Sequence, residues 1–207
     1  MKLQILSEGA EAKVYSAGFL GFDGVLKRRV RKNYRIEQID EQLRSKRTRN
    51  EARIIGLVSR LGIDCPKVLL VDRYEILMSR IKGVMLNDLL KSNADSAKFP
   101  RIFSLLGGYA ALLHNNNIVH GDYTPANVIL DKSGRVYLID FGLSEVAVSI
   151  EEKALDLLLM KRAVDKKYFD AFIQKYKRDS NESKTILGRL NEIEKRGRYN
   201  TRTLLVN

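Results

Sequence analysis

Cysteine, histidine, proline and long apolar runs are all scarce in this chain, and each scarcity removes a class of protein. Cys65 is the only cysteine, so no disulfide can form within the chain and no zinc site can rest on paired cysteines. His114 and His120 are the only histidines. No apolar stretch approaches the roughly 18 residues needed to span a bilayer, so no membrane is expected among the partners. The opening MKLQILSEGAEAK breaks at Ser7, Glu8 and Gly9, before the continuous apolar core of a secretory signal could form. A cytoplasmic setting is expected. With three prolines, 44% hydrophobic and 30% charged residues, the composition excludes a disordered chain.

Positive charge is what the chain has in excess. Over 207 residues the formal net charge is +12, and the pI is near 9.8. A polyanionic partner such as RNA or DNA accounts for such a balance. Between Lys27 and Arg53 there are eleven Lys or Arg against four Asp or Glu. A phosphate-binding face and a solvated basic face explain that stretch equally well. The length suits one domain or one pair of small lobes sharing a cleft.

Local pattern points to an α+β chain. KLQIL, AKVYSAG and GVLKRRV are short β-favouring segments punctuated by Gly9, Gly18, Gly21, Asp23 and Gly24 as turns, which predicts an antiparallel meander. From Glu41 to Leu61 the apolar residues Leu43, Ile54, Leu57, Val58 and Leu61 keep helical spacing, and Gly62 ends the helix. KVLLVD and YEILMSRI are strand-like, and NDLLKS is compatible with a helix. Arg101 to His114 carries Phe103, Leu106, Ala110 and Leu113 on one stripe and predicts a buried helix. VIL and RVYLID flank the turn sequence Asp131 to Gly134 and predict a hairpin. Helical pattern resumes after Ile150 and continues to the tail KRGRYNTRTLLVN, where Gly197 is expected to break it.

The chemistry concentrates in HGDYTPANVIL, from His120 to Leu130, and IDFGL, from Ile139 to Leu143. Asn127 follows Asp122 by five positions, and Asp140 follows Asn127 by thirteen. That order suits phosphoryl transfer. Asp122 would accept a hydroxyl proton or orient the attacking group, Asn127 would hold one magnesium ion, and Asp140 would hold the ions bridging the phosphates of ATP. Pro125 stiffens the loop, and the hairpin is expected to carry Asp140 back beside Asn127.

These residues resemble the protein-kinase superfamily, and the resemblance assigns further positions. Lys27 in GVLK takes the place of the strand lysine that grips the phosphates, and Glu51 that of the helix glutamate that holds it. SEGAEAKV takes the place of the phosphate-covering loop, with Ser7, Glu8, Gly9 and Ala10 near the nucleotide, although Gly9 is the single glycine kept. Met78 to Ile81, including Ser79, would be the hinge for adenine, and Val14, Val25 and Ile129 would sandwich its ring. Two departures stand out. Gly121 replaces the usual arginine, and after DFGL only SEVAVSIEEKAL precedes Asp156, with no APE sequence, so the activation segment is missing. Asp156 matches the helix aspartate that braces the catalytic loop.

SEGAEA, the run from Arg47 to Arg53, HGDYTPAN, DFGLS, EEKALDLLLMKRA and RGRY together resemble the small kinase of the KEOPS complex. The resemblance implies a minimal bilobal kinase-like fold, with an antiparallel-sheet N-lobe (1–81) and a reduced helical C-lobe (82–207). It implies an atypical serine/threonine kinase that acts largely as an ATPase. Its partners would be a threonylcarbamoyl-transferase subunit, a small regulator on the N-lobe, and tRNA. Three alternatives remain open: an aminoglycoside-type phosphotransferase, a RIO-type ribosome-assembly kinase, and a non-catalytic RNA-binding scaffold. The short stretch after Asp140 leaves little chain for the first, and a scaffold has no need of Lys27, Glu51, Asp122, Asn127 and Asp140 together.

Overall fold

The computed structural model describes residues 3–9, 11–19, 21–92, 96–146 and 148–204. In chain order the elements begin with β1 (Gln4–Glu8), β2 (Ala12–Phe19), β3 (Phe22–Arg29), α1 (Glu37–Arg60), β4 (Val68–Val71), β5 (Glu75–Ser79) and β6 (Gly83–Met85). There follow α2 (Leu86–Ser92), α3 (Phe99–Asn115), β7 (Ile118–Val119), β8 (Val128–Asp131), β9 (Val136–Leu138) and β10 (Glu145–Val146). Helices α4 (Ile150–Ala163), α5 (Lys166–Asp179) and α6 (Ser183–Leu204) complete it. The α+β class read from the sequence is the class observed.

Two compact units emerge, and their boundaries differ from the expected division at residue 81. The first comprises Met1–Met85 and Val128–Leu143, the second Leu86–Asn127 and Ser144–Asn207. The reason is strand pairing. β6 pairs antiparallel with β8, which pairs with β9, and the Leu138 amide donates to the Asp64 carbonyl at 2.9 Å. The hairpin is thereby tied to the first unit.

Within the first unit, five antiparallel strands run in the order β1-β2-β3-β5-β4. Strand alternation divides their side chains between two faces. Ala17, Leu26 and Leu77 form a buried cluster on one face, with Tyr15 packed against it. The expected turn at Gly18, Asp23 and Gly24 is instead continuous pairing of β2 with β3, in register Gly18↔Asp23 and Ala17↔Gly24. Gly24 is needed inside the strand because a Cβ there would lie 2.9 Å from the Ala17 carbonyl oxygen. Helix α1 buries Ile54, Ile55 and Val58, together with Glu51. At its end Gly62 takes a φ of +80°; the Gly62 amide donates to Ser59 O, and the Ile63 amide to Val58 O. This is the left-handed glycine termination the sequence suggests.

The second unit is helical, with an aromatic core. Helices α3 and α5 cross so closely that a Cβ on Gly107 would collide with the Phe172 backbone. Phe103 stacks on Tyr168, and Phe172 on Tyr176. Ser149 and Glu152 form a reciprocal capping box at the start of α4. The buried Lys153 on α4 donates to Asn117 Oδ1 (3.0 Å) and Glu182 Oε2 (2.6 Å), linking three segments. α6 runs through Gly197 to Leu204. The expected break is therefore absent: an interior glycine costs a helix about 1 kcal/mol relative to alanine but does not forbid it. No described helix is long and apolar enough to cross a membrane.

Candidate active site

Strand register assembles most of the candidate nucleotide residues on one sheet face. Val14 pairs with Lys27, and Val25 with Met78, so these four share the face opposite the Ala17–Leu26–Leu77 cluster. Lys27 is mostly buried there. Its Nζ donates to Glu51 Oε1 (2.6 Å) and Asp140 Oδ1 (2.8 Å). Burial alone would lower the pKa of the ammonium, but the Glu51 and Asp140 carboxylates outweigh that effect and hold it above the ordinary lysine value. Lys27 is therefore cationic throughout the neutral range.

Asp140 sits in a left-handed backbone conformation, with a φ of +59°. Non-glycine residues adopt that region at some cost, often where a side chain must be aimed. The Gly142 amide donates to Asp140 Oδ1 at 3.2 Å. A Cβ on Gly142 would lie 3.0 Å from that oxygen and 3.2 Å from Lys27 Nζ, so glycine lets the chain close over the ion pair.

Of the remaining candidates in the first unit, Ser7 and Glu8 end β1 and Gly9 leads into β2, whose start it contacts by donating its amide to Ala12 O. Ala10 lies outside the described residues. Ser79 is bonded to Lys67 twice, its Oγ accepting the Lys67 amide at 2.9 Å and its own amide donating to Lys67 O at 2.8 Å. Ile81 is half-buried in the loop after β5. Ile129 lies in the other sheet, paired with Met85 and Tyr137.

In the second unit the loop from His120 to Asn127 is held from several sides. Asn127 Nδ2 donates both to the Asp122 carbonyl and to Asp122 Oδ2, each at 2.8 Å. With its Nδ2 committed, Asn127 presents Oδ1 as a neutral hard oxygen donor. Asp156 accepts the His120 amide (2.7 Å) and the Gly121 amide (2.9 Å), and His114 Nε2 approaches it at 3.4 Å. Gly121 has a φ of +80°, a conformation that strains the arginine usual at this place. Ser144 Oγ donates to the His120 carbonyl at 2.7 Å. Beyond Ser144 the short strand β10 pairs with β7, and Ser149 already caps α4. That connection has no length for a peptide-docking segment.

Two further residues belong to these arrangements and escape the sequence reading. Arg29 donates through Nη2 to Glu51 Oε2 at 2.5 Å. His114 joins Tyr176 OH (2.8 Å) to Asp156. Arg29 was legible in principle, because a residue two beyond Lys27 on a strand must share its face.

The donor set fits magnesium carried by a nucleotide. Among the described residues no group of three or more His, Cys, Asp or Glu converges as a self-sufficient metal cage. Magnesium typically takes one or two carboxylates plus phosphates and water, and Asp140 in the first unit is a carboxylate of that kind.

The chain matches the RIO domain family over residues 7–185. It is 36% identical to the KEOPS complex subunit Bud32 of Pyrococcus abyssi, over 97% of this chain and 98% of that protein. It is 34% identical to the EKC/KEOPS complex subunit BUD32 of Enterocytozoon bieneusi, over 94% and 98%. It is also 36% identical to a protein of Methanocaldococcus jannaschii named "Probable bifunctional tRNA threonylcarbamoyladenosine biosynthesis protein", over 94% of this chain. The chain spans only 37% of that longer relative.

Proposed function

The chain belongs to the RIO-domain family of atypical kinases, and from that premise we propose that it uses ATP and magnesium as a serine/threonine kinase and ATPase, serving as the kinase subunit of KEOPS in threonylcarbamoyladenosine modification of tRNA. The observation that carries the chemistry is the buried Glu51 carboxylate aligning Lys27 beside Asp140. A lysine held in this way can grip α- and β-phosphates without searching for its orientation. Asp140 would be a metal ligand of the first unit, and the Asn127 Oδ1 is the metal-binding candidate of the second. Magnesium, when bound with ATP, would neutralise charge developing on the transferred phosphoryl group. Asp122, oriented by Asn127, would accept the proton of a hydroxyl or position a water. Val14, Val25, Met78 and Ile129 would offer apolar surface to the adenine ring.

The KEOPS assignment comes from the names of relatives that this chain matches nearly end to end. It brings in the threonylcarbamoyl-transferase subunit, the small regulator on the first unit, and tRNA as partners. A RIO-type ribosome-assembly role would use the same site residues, and preference for pre-ribosomes over the transferase subunit would favour it.

Calorimetry and a radiolabelled ATP assay test the reading together. Asp140→Asn is expected to lose tight magnesium-dependent ATP binding, since one hard anionic ligand is gone. Asp122→Asn should bind ATP nearly as the wild type does, with turnover reduced. Equal, normal affinity and turnover in both variants would overturn the assignment. For tRNA, affinity should fall with salt, each neutralised phosphate contributing roughly 0.7 to 0.9 to the logarithmic slope.

A further inference from the structure

Glu51 is gripped from both sides. Lys27 Nζ meets its Oε1 at 2.6 Å, and Arg29 Nη2 meets its Oε2 at 2.5 Å. Arg29 is only 5% exposed. Its backbone is fixed at the end of β3, paired with Ala12 on one side and donating its amide to Tyr74 O at 2.9 Å on the other. The charges form an alternating row: Arg29, Glu51, Lys27, Asp140.

Lys27 is shared with Asp140, so Arg29 completes a balance of two cations and two anions, and its burial calls for a further explanation. Stability does not supply one. The Nε of this buried guanidinium has no hydrogen-bond partner among the described residues, and apolar side chains often replace buried ion pairs with no loss of stability. What Arg29 adds is geometry. With both oxygens engaged, the Glu51 carboxylate cannot rotate, and Oε1 stays turned towards Lys27.

We propose that Arg29 is a positioning residue that keeps the Lys27–Glu51 pair assembled whether or not nucleotide is bound. This deepens, and rests on, the phosphotransfer reading above. Lys27 divides its donors between Glu51 and Asp140, and its hold on Glu51 weakens once phosphate and metal draw both of those groups. The hold of Arg29 on Glu51 does not depend on a ligand. Regulated kinases assemble the corresponding pair by moving the helix that bears the glutamate. Here Arg29 ties that helix, α1, to the strand that bears the lysine, so the assembled pair is the resting state.

Four variants test this: Arg29→Met, Arg29→Lys, Glu51→Gln, and Arg29→Met combined with Glu51→Gln. The readouts are amide hydrogen exchange of residues 48–55 without nucleotide, and kcat and KM for ATP hydrolysis. Arg29→Met should speed exchange in that segment and lower kcat on the order of 10- to 100-fold with a smaller change in KM, as expected for misplacement of a positioned group. Arg29→Lys should recover part of both effects. In the Glu51→Gln background, Arg29→Met should add nothing to the loss of kcat. The proposal is overturned if Arg29→Met and Arg29→Lys leave exchange at the wild-type rate, or if the loss of kcat is the same factor in both backgrounds. Should wild-type protein bind no magnesium-ATP, the phosphotransfer reading fails, while the exchange measurement still decides whether Arg29 fixes α1.

Discussion

Lys27 and Glu51 are partners of unequal consequence, because Glu51 serves two cations and Lys27 two anions. Removing Glu51 leaves buried Arg29 without its counter-charge, a situation that costs roughly 3 to 5 kcal/mol. Removing Lys27 leaves Glu51 still paired with Arg29. Glu51→Ala is therefore expected to unfold at clearly lower urea than Lys27→Ala, whereas Lys27→Ala should show the slower ATP turnover. Parallel urea titrations and turnover assays check this inverted order, and equal urea midpoints would show that Arg29 does not need Glu51. The motif residues from Asp122 to Asp140 were legible because their order is set by chemistry. Arg29 was obscured by its neighbours. In the run Lys27, Arg28, Arg29 every residue looks like surface charge, yet strand phase separates them: Arg28 pairs with Glu75 and lies over Tyr15, while Arg29 turns inward with Lys27.

Helix α1 shows where an element's start escapes the sequence. It begins at Glu37, four residues before the expected Glu41, and its N-cap Ile36 makes no side-chain cap. With no Ser, Thr, Asp or Asn at the cap there was no signal to read. Its first turn is organised instead by Asp40, which is buried and accepts from Arg44 Nε (2.6 Å) and the Lys32 amide (3.2 Å). Burial pushes this carboxyl's pKa up, but the hydrogen bonds from Arg44 and the Lys32 amide, with the charges of Arg44 and Arg35, prevail and hold it below the ordinary aspartate value. A depressed folded-state pKa means that the carboxylate's contribution to stability is complete above the unfolded value, about 4, and drains away as pH falls through the folded value. Asp40→Asn should thus be less stable than wild type at pH 7, with the gap narrowing below about pH 4. Thermal melts across pH 2.5 to 7 measure the gap, and a constant difference would remove Asp40 as its source. The C-terminal end of α1 was legible for the opposite reason: Gly62 is a termination signal with one physical meaning.

For the whole molecule, the α+β class and the missing activation segment were both legible, because composition, periodicity and the short interval after Asp140 carry them directly. The unit boundaries were not, since pairing of β6 with β8 joins residues far apart in sequence. With β10 leading almost at once into α4, no segment among the described residues is long enough to hold a peptide in line with a γ-phosphate, and catalysis depends on that alignment. Generic peptides should therefore be poor phosphoacceptors for the isolated chain, and adding the transferase partner should raise phosphate release while suppressing slow autophosphorylation. Rapid peptide phosphorylation unaffected by the partner would reinstate an ordinary signalling kinase. The same β6–β8 pairing bears on how the protein is made. The first unit is interrupted after Met85 and resumes only with Val128–Leu143, so a ribosome must deliver the entire intervening segment before that unit can close. At ordinary synthesis rates this leaves roughly 6 to 23 seconds in which the nascent strand bearing Lys27 waits for Asp140.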